Sequence, residues 1–488
     1  MAENMLSVFD VEDSRIFRTT LTAAKSGYCR IAIRYRHDNW DAWVKLEIVG
    51  QGGERYTAIP PLPRKYTETN MLVYLFAGVN RIVVSPRFDH PMEIREIRIL
   101  EENPQLQPQV IPSADRFCLS DPRTRRLCVI SYTGAPVKIT AGDREIPFEP
   151  ESKALYDHAD PVETKEPDTY HHLRISADAL TGLSEGEQEL TIHLPQNQSL
   201  SYKLTVEKVR KEYALRIVSL DVNHGNCVLL QLPNGKNLLI DTGTERCAED
   251  VIFPYLEEKG IGLDYCLISH YHGDHMGCLD AILEKYPLAK PDEEIVREYI
   301  KAGEQESRFA MLSRFGFLDN RMLCRYDRLD KIWDLGGVEV TVLNSKYEHD
   351  GSEEMHGENE TSVSLLVSYG GFRYYHGADN HATNQRRNLE DFTAAGKLCE
   401  LQCHYMQANH HFHGDLLPEM IRAINPVAVV VPAHQAIFSR SAYMVDYLQG
   451  VAEQSYPHKR LKDTFVSYFS GTVTCLVNSD RDWHYETV

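Results

Sequence analysis

Four side chains of the types that commonly bind metal ions occur within six residues of one another, directly after an apolar, strand-like run. The segment LISHYHGDHMG places His270, His272, Asp274 and His275 in this position. Residues i and i+2 at the end of a strand face the same side, so His270 and His272 can reach one ion together. After the turn at Gly273, Asp274 and His275 can address a second ion or its water. This set suits zinc or a similar divalent ion better than the alternative, a polar loop with local hydrogen bonds.

Three later segments add residues of the same types, each after another strand-like run. In YYHGADNH, Asp379 can bridge two metal ions or, alternatively, cap the helical sequence that follows it. In QANHHFHGD, one histidine is expected to bind metal and another to donate a proton to a leaving group, with a surface histidine cluster as the alternative. These histidines are His410, His411 and His413. In VVVPAHQ, His434 either lines the same cleft or is structural.

The elements that must position these residues change character along the chain. Residues 1–105 contain short β-branched and aromatic runs, which predict a β-sandwich. Residues 116–207 predict a second, smaller, immunoglobulin-like β-sandwich, and the stretch ENPQLQPQVIPSAD between the two predicts a linker. From residue 213 to 488, strands alternate with helices, which predicts sheets flanked by helices. The expected fold class is therefore α+β, with several domains.

Composition and charge restrict what this centre can act on. The chain has 488 residues, of which 42% are hydrophobic and 25% charged, as in an ordinary globular protein of several domains. Its net charge of −19 makes it a poor generic binder of nucleic acid or membrane surfaces. A phosphodiester substrate would therefore have to be attracted locally, by metal ions.

Three features of the sequence bear on its compartment. No apolar run approaches the roughly 20 residues that span a bilayer. The N-terminal sequence MAENMLSVFDVEDS lacks the basic and apolar regions of a secretory signal. The 11 cysteines are scattered and contain no CxxC pair, which favours reduced thiols. We therefore expect a cytoplasmic protein without a membrane partner.

Several of these motifs resemble one known family. HYHGDH resembles the HxHxDH signature of the metallo-β-lactamase fold superfamily, and LDVNHGNCVLLQLPNGKNLLIDTGT resembles that fold's opening hairpin with its Asp-Thr-Gly turn at Asp241. The passages DVNHGNCVLL, ENETSVSLLVSYGGFRYYHGAD, MQANHHF and GTVTCLV resemble the metallo-β-lactamase-like domain of competence DNA-uptake proteins. The likeness covers about Tyr213 to Val488. The sequence shows no counterpart of those proteins' membrane channel, so the resemblance implies a hydrolase domain and not transport.

The resemblance implies an αββα sandwich with two divalent ions between its sheets, either zinc or, alternatively, manganese. His270 and His272 would hold the first ion, and Asp274 and His275 the second, with Asp379 bridging them and Asp274 also orienting a catalytic hydroxide. One histidine of the 410–413 group would complete the second site, and which one binds metal is left open. His410 is assigned as a metal ligand, His411 and His413 as catalytic candidates, and His224 and His434 as candidates for substrate contact.

The first ion lacks an obvious third imidazole. Many members of the superfamily carry this histidine about 20 residues before the bridging aspartate, where the present chain has Asn359, with His356 slightly upstream. The first ion would then be held by two histidines together with Asn359 or His356. Because an amide is a poorer ligand than an imidazole, we expect the first site to be the weaker one.

The predicted function is hydrolysis of a phosphoester or phosphodiester, in a nucleotide or nucleic acid, by a metal-bound hydroxide. A small lactone, thioester or choline-type ester is an alternative substrate, because a fold does not determine its function. An alternative of another class is a binding or scaffold protein, whose N-terminal β domains contact a protein or glycan and whose metal site is degenerate. Stoichiometric metal would distinguish the hydrolase from the scaffold.

Overall fold

The computed structural model describes most of the chain, with gaps in several loops. The described residues are 16–37, 44–59, 67–86, 92–112, 114–151, 156–157, 160–161, 170–270, 272–286, 317–319, 331–344, 359, 362–412, 416–433, 461 and 463–487. Within them, ten cysteines are all free thiols. In the same residues, each helix is too short or too polar to cross a membrane.

Two antiparallel sheets form the first part of the chain. Their strands are β1 (Phe17–Ala23), β2 (Gly27–His37), β3 (Val44–Gly50), β4 (Gly53–Ile59), β5 (Thr67–Leu75), β6 (Gly78–Pro86) and β7 (Met92–Glu102). One sheet has the order β1-β6-β3-β4 and the other the order β5-β2-β7. Alternate residues of both sheets, such as Ile31, Ile33, Ile48 and Ile82, fill the core between them. This part is the predicted two-sheet sandwich.

A second set of strands follows. It comprises β8 (Gln109–Ile111), β9 (Ala114–Cys118), β10 (Arg125–Ile130), β11 (Lys138–Ala141), β12 (Arg144–Glu145), β13 (Glu149–Pro150), β14 (Tyr156–Asp157), β15 (Asp160–Pro161), β16 (Tyr170–Ile175), β17 (Gly186–His193) and β18 (Ser199–Glu207). The main sheets have the orders β13-β16-β10-β8 and β12-β11-β17-β18-β9, and β14 pairs with β15. One short helix, α1 (Ala177–Leu180), is capped by the Ser176 side chain.

The stretch predicted to be a linker contains part of this second set. Gln109–Ile111 forms strand β8, which pairs with Cys128–Ile130 of β10. The reason is packing, because Val110 is buried in the core of the second set. Cys128 itself belongs to the apolar core of the C-terminal part, and the ring of Tyr170 lies 5.1 Å from that of Phe469. The division into domains at 1–105, 116–207 and 213–488 stays a prediction about independent folding.

Two seven-stranded sheets form the C-terminal part. The first has the order β23-β22-β21-β20-β19-β31-β32, and the second the order β24-β25-β26-β27-β28-β29-β30. The strands are β19 (Leu215–Ser219), β20 (Val228–Gln231), β21 (Asn237–Ile240), β22 (Tyr265–Ile268), β23 (Phe317–Asp319), β24 (Lys331–Asp334), β25 (Glu339–Asn344), β26 (Ser364–Tyr369), β27 (Phe372–His376), β28 (Tyr405–Gln407), β29 (Ala428–Val431), β30 (Asp463–Val466), β31 (Val473–Ser479) and β32 (Asp482–Thr487).

Helices connect the strands of this part, and several of them cover the outer faces of the sheets. They are α2 (Phe253–Lys259), α3 (Gly273–Met276), α4 (Leu279–Lys285), α5 (Ala382–Ala394), α6 (Pro418–Ile424) and α7 (Ser467–Ser470). Residues of both sheets, such as Ile217 and Tyr374, share one inner core. Leu256 and Ile282 pack on the outer face of the first sheet, and Phe392 and Met420 pack on that of the second. The layers are therefore helix, sheet, sheet and helix, as predicted.

Candidate metal centre

The carboxyl ends of four strands bring the predicted ligands to one edge of the two sheets. In the first sheet, β21 and β22 are parallel, and Asp241 and His270 follow them. In the second sheet, β27 and β28 are parallel, and the loops after them carry Asp379 and His411. Parallel neighbours end at the same edge of a sheet, which is why residues far apart in sequence meet here. The edge lies between the sheets and is therefore largely buried.

The first group of ligand atoms consists of His270, His272 and Asp379, all within 4.8 Å of one another. His270 is fully buried, and its Nδ1 lies 3.1 Å from the Oγ of Ser269 and 3.4 Å from the Oγ of Ser362. These hydroxyls leave Nε2 facing the Oδ2 of Asp379, at 3.7 Å. His272 is the exposed member and gives this group its access to solvent.

The second group consists of Asp274, His275, Asp379 and His411, all buried and again within 4.8 Å of one another. His275 Nε2 lies 3.1 Å from Asp379 Oδ1. His411 Nε2 lies 3.1 Å from Asp274 Oδ2. The Nδ1 of His411 donates a hydrogen bond to the carbonyl oxygen of Pro432 at 2.7 Å, which fixes the ring so that Nε2 faces the group.

Asp379 belongs to both groups, and its two oxygens divide between them. Oδ2 lies 3.7 Å from His270 Nε2 and 3.8 Å from His410 Nε2. Oδ1 lies 3.1 Å from His275 Nε2 and 3.6 Å from His411 Nε2. A carboxylate in this position could contribute to a metal site on either side of it.

Consecutive histidines reach opposite sides of Asp379 because of an unusual turn. His410, His411 and Phe412 have φ angles of 45°, 47° and 62°, in the left-handed region that residues other than glycine rarely adopt. A hydrogen bond from the His410 amide to the Ala378 carbonyl oxygen, 2.8 Å long, holds the start of the turn. Such strain persists only where the surroundings enforce it, and it is concentrated at functional sites.

Buried polar atoms at this edge lack hydrogen bonds, which tests whether metal ions fit. Among the described residues, His270 Nε2, His275 Nε2 and Asp379 Oδ1 are buried and have no hydrogen-bond partner, since the close contact between the last two is not aligned for one. Each unsatisfied group costs about 1–3 kcal/mol, so a ligand that bonds all of them is favoured. Imidazole nitrogens and carboxylate oxygens are ligands that divalent transition metals take. The residues therefore fit divalent metal.

The comparison with protein families identifies this part of the chain. Residues 220–395 match the family described as the metallo-beta-lactamase superfamily. The matched residues include the strands β20–β22, the HxHxDH segment and Asp379, and most members of both candidate metal-binding groups lie among them. This segment is a metallo-β-lactamase superfamily domain. The match ends before His410 and His411, so their contribution to the metallo-β-lactamase centre rests on the geometry alone.

Similar proteins agree with this family. Recombination protein 2 of Haemophilus influenzae is 35% identical over 92 residues, which are 18% of this chain and 12% of that protein. The chain thus spans only a small part of the curated relative. The predicted superfamily, with its competence-protein-like branch, is confirmed by these two matches.

Two solved structures share weaker likenesses with the chain. The first is the mono-zinc form of the metallo-beta-lactamase FIM-1 from Pseudomonas aeruginosa. The alignment covers 40% of this chain and 66% of that one, at 13% identity and a TM-score of 0.19. The second is the CBM35 from Cellvibrio japonicus Abf62. The alignment covers 20% of this chain and 74% of that one, at 18% identity and a TM-score of 0.17. At such low scores these two likenesses support no functional statement.

A further carboxylate, outside both groups, contacts the nitrogen of His275 that faces away from the candidate metal site. Asp241 is fully buried, and its Oδ2 lies 2.8 Å from His275 Nδ1. Both Asp241 oxygens also accept hydrogen bonds from Ser269, one from its amide and one from its hydroxyl, each 2.7 Å long. A carboxylate on the far nitrogen of a metal-binding histidine orients the ring and keeps Nε2 available for the ion.

The charges of the centre shift one another's pKa values. Burial raises the pKa of Asp274 and Asp379, but the nearby His275 and other imidazoles outweigh it, and both pKa values lie well below the ordinary one. Burial lowers the pKa of His275, but Asp379 and Asp274 outweigh it, and the pKa lies well above its ordinary value. Burial and the charge of His275 lower the pKa of His270. The carboxylates are thus ready to bind cations, and metal bound by His275 would displace its proton.

The remaining predicted residues lie in different places. His224 is buried, and its Nε2 lies 3.2 Å from Asp274 Oδ2, so it contacts a carboxylate of the second group. Asn359 is buried, and its Nδ2 lies 3.2 Å from His410 Nε2. His413 and His434, and the alternative ligand His356, lie outside the described residues. The geometry places His411 rather than His410 in the second group, and the ligand roles as a whole stay predictions.

Sequence reasoning gave no role to three residues that support the ligands: Asp241, Ser269 and Ser362. Ser362 accepts a hydrogen bond from the Asp379 amide at 3.0 Å and contacts His270. Two of the three had a signal, because Asp241 opens the Asp-Thr-Gly turn and Ser362 ends the Asn-x-x-Ser passage that begins at Asn359. Ser269 had none beyond its place before His270.

Proposed function

We propose that the C-terminal domain is a metal-dependent hydrolase with two adjacent metal sites that share Asp379. The observation that carries this proposal is the division of the Asp379 oxygens between two buried groups of imidazoles. When bound, divalent ions lower the pKa of water toward about 7 and so supply a nucleophile at neutral pH. Zinc is the ion that this donor set favours, with manganese as the alternative.

The chain's own residues hold this chemistry in place. Asp241 fixes the ring of His275, and the Pro432 carbonyl fixes that of His411, so neither ligand has to reorganise. Asp274 lies between His411 and His224, and its carboxylate is positioned to orient a nucleophilic water. His272, at the exposed side, faces the direction from which substrate enters.

The substrate class we propose is a phosphoester or phosphodiester. Two adjacent cations can stabilise both the attacking and the leaving oxygen of a phosphoryl group. The name of the relative, Recombination protein 2, fits an activity on nucleic acid, although the matched part is 18% of this chain. The net charge of −19 opposes binding of a long duplex and favours a nucleotide or a single end. A cytoplasmic location and a protein or glycan partner for the N-terminal strands stay predictions.

The test joins metal content to reaction class. Purified full-length protein should contain stoichiometric zinc or manganese by elemental analysis and should hydrolyse bis-p-nitrophenyl phosphate. If the protein hydrolyses lactones or thioesters and not the phosphodiester, the substrate is a small ester. A protein without stoichiometric metal, even after reconstitution, would favour a scaffold with a degenerate site.

Asp274→Ala should reduce phosphodiester hydrolysis at least about 100-fold, because loss of a supporting residue alone commonly costs 10–100-fold. Asp274 is a proposed ligand of the second group and also a candidate to orient the nucleophilic water. The matched control is Asp280→Ala, which removes an exposed carboxylate six residues along the chain. Circular dichroism should show the same fold in both variants. Full activity of Asp274→Ala, with metal still bound, contradicts the assignment.

We further propose that His410 supplies the third imidazole of the first site, in place of Asn359. Its Nε2 lies as close to Asp379 Oδ2 as that of His270 does. His410→Ala should weaken the first site at least about tenfold, whereas His411→Ala should weaken the second, so each variant is the other's control. Titration with Co²⁺, followed by its absorption spectrum, resolves the two sites. If both metal affinities are unchanged in His410→Ala, the third ligand of the first site is Asn359 or His356. Asn359→His should then increase the metal affinity of the first site.

A further inference from the structure

The first seven-stranded sheet carries a row of polar side chains at the edge opposite the metal centre. Arg216 of β19 lies opposite Gln231 of β20, and Gln231 lies opposite Asn237 of β21. Residues directly opposite one another share a face of the sheet. Two residues further along these strands the same face is apolar, with Val218, Leu229 and Leu239 packed under the helices. The polar row is thus confined to the edge away from the metal centre.

Arg216 is half-buried. In the part of the chain that the structure describes, its guanidinium makes no ion pair and no hydrogen bond. Burial and the charges of Arg210 and Arg123 lower its pKa. The charge of Glu486 acts in the opposite direction and raises the pKa. The cation is only partly solvated, so an anion that contacts it would be favoured.

The neighbouring carboxylates are already shared. Asp121 lies 3.0 Å from Arg123 and 2.8 Å from Arg210. Glu486 lies 2.6 Å from Arg210 and 3.7 Å from Arg123. These two acids neutralise two of the three guanidiniums. Arg216 is the third, which leaves about one uncompensated positive charge here in a chain whose net charge is −19.

An open cavity of about 590 Å³ lies in front of this row. Arg216, Gln231 and Asn237 line it together with Tyr213, and the loop 260–264 forms the facing wall. Its one acidic side chain is that of Asp264, which binds Lys236 at 2.6 Å and the Asn237 amide at 2.9 Å. The cavity therefore offers a fork of guanidinium donors and two carboxamides, with its own carboxylate already neutralised.

We infer that this cavity is a second binding site, specific for a small anion that carries a phosphate or a carboxylate group. A planar guanidinium binds either group through two parallel hydrogen bonds, and the carboxamides can donate to its remaining oxygens. The site is separate from the metal centre. Asn237 begins β21 and Asp241 follows its last residue, so the two are four residues or about 13 Å apart. Its occupation does not depend on the proposed hydrolase activity.

Chemical labelling of arginine tests the site on the full-length, metal-loaded protein. Phenylglyoxal should modify Arg216, because its guanidinium has no ion pair with any described residue and lines an open cavity. Inorganic phosphate or succinate should slow this labelling several-fold, and peptide mass spectrometry reports it at the single residue. Arg481, an exposed arginine at the turn between β31 and β32, is the internal control and should be labelled equally with and without anion.

Calorimetric titration of the same anions gives the second readout. Arg216→Gln should weaken binding at least about tenfold, since a charged hydrogen-bonding partner is lost. Arg481→Gln changes the net charge equally and should leave binding unchanged. Protection by phosphate alone or by succinate alone identifies the ligand group. An Arg216 that resists labelling, or anion binding that is equal in Arg216→Gln and wild type, overturns the inference.

Discussion

Asp379→Asn should reduce hydrolysis at least about 100-fold and lower metal content at both sites together. The substitution keeps the size of the side chain but removes its negative charge. Each carboxylate oxygen faces a different group of imidazoles, so one change weakens both. Loss of a supporting residue commonly costs 10–100-fold in metal affinity or activity, and a shared ligand should cost at least the upper value.

The measurement is metal content after dialysis against a weak chelator, together with the rate on bis-p-nitrophenyl phosphate. Asp250→Asn is the matched control, because Asp250 is an exposed aspartate of the same domain. If Asp379→Asn retains one tightly bound ion, the carboxylate serves a single site and is not a bridge. If it retains two, neither site depends on Asp379. The helix-cap alternative does not apply, because His381 is the N-cap of α5 and no side chain caps that helix.

The sequence predicted the centre best where the ligands are close in the chain. His270, His272, Asp274 and His275 follow one strand, and the alternation of side chains along a strand already places the first two on one side. Asp379 and the histidines of the 410–413 group were predicted to join them because each follows a strand. Parallel pairing of β21 with β22, and of β27 with β28, brings these strand ends to one edge.

The choice between neighbouring histidines depended on backbone conformation, which the sequence did not indicate. His410 and His411 adopt left-handed φ angles although neither is glycine or asparagine. Residue types predict such conformations mainly for glycine, asparagine and aspartate. Only the turn shows that His411 faces Asp274, whereas His410 faces Asn359.

Strand β8 is a second case in which tertiary contacts overrode local sequence. Gln109–Ile111 lies between prolines in a stretch of linker-like composition. Its pairing with β10 is determined by the burial of Val110 in a core whose other residues come from as far as Val206. Because a three-residue strand carries almost no periodicity of its own, the pattern along the chain could not reveal it.

Asp241 shows how a residue outside both metal groups can control one of them. It is separated from His275 by 34 residues, and the contact exists because β21 ends beside β22. In Asp241→Asn, the amide oxygen can still accept the Ser269 amide, but the NH₂ group then faces His275 Nδ1. That nitrogen would have to become the acceptor, which places the ring proton on Nε2, where the metal should bind. A histidine held in the wrong tautomer in this way loses its function although the geometry is intact.

Asp241→Asn should therefore weaken the second site about 10–100-fold and leave the first site nearly unchanged. Titration with Co²⁺ against a competing chelator measures the two affinities, and circular dichroism verifies the fold. Ser269→Ala is the comparison variant. It removes a hydroxyl that contacts Asp241, His270 and His275 but leaves the carboxylate that sets the tautomer of His275. Because both variants disturb the same buried cluster, a general loss of packing would weaken both sites in both proteins. A selective loss in Asp241→Asn alone identifies the tautomer of His275 as the cause, and equal affinities in Asp241→Asn and wild type would contradict it.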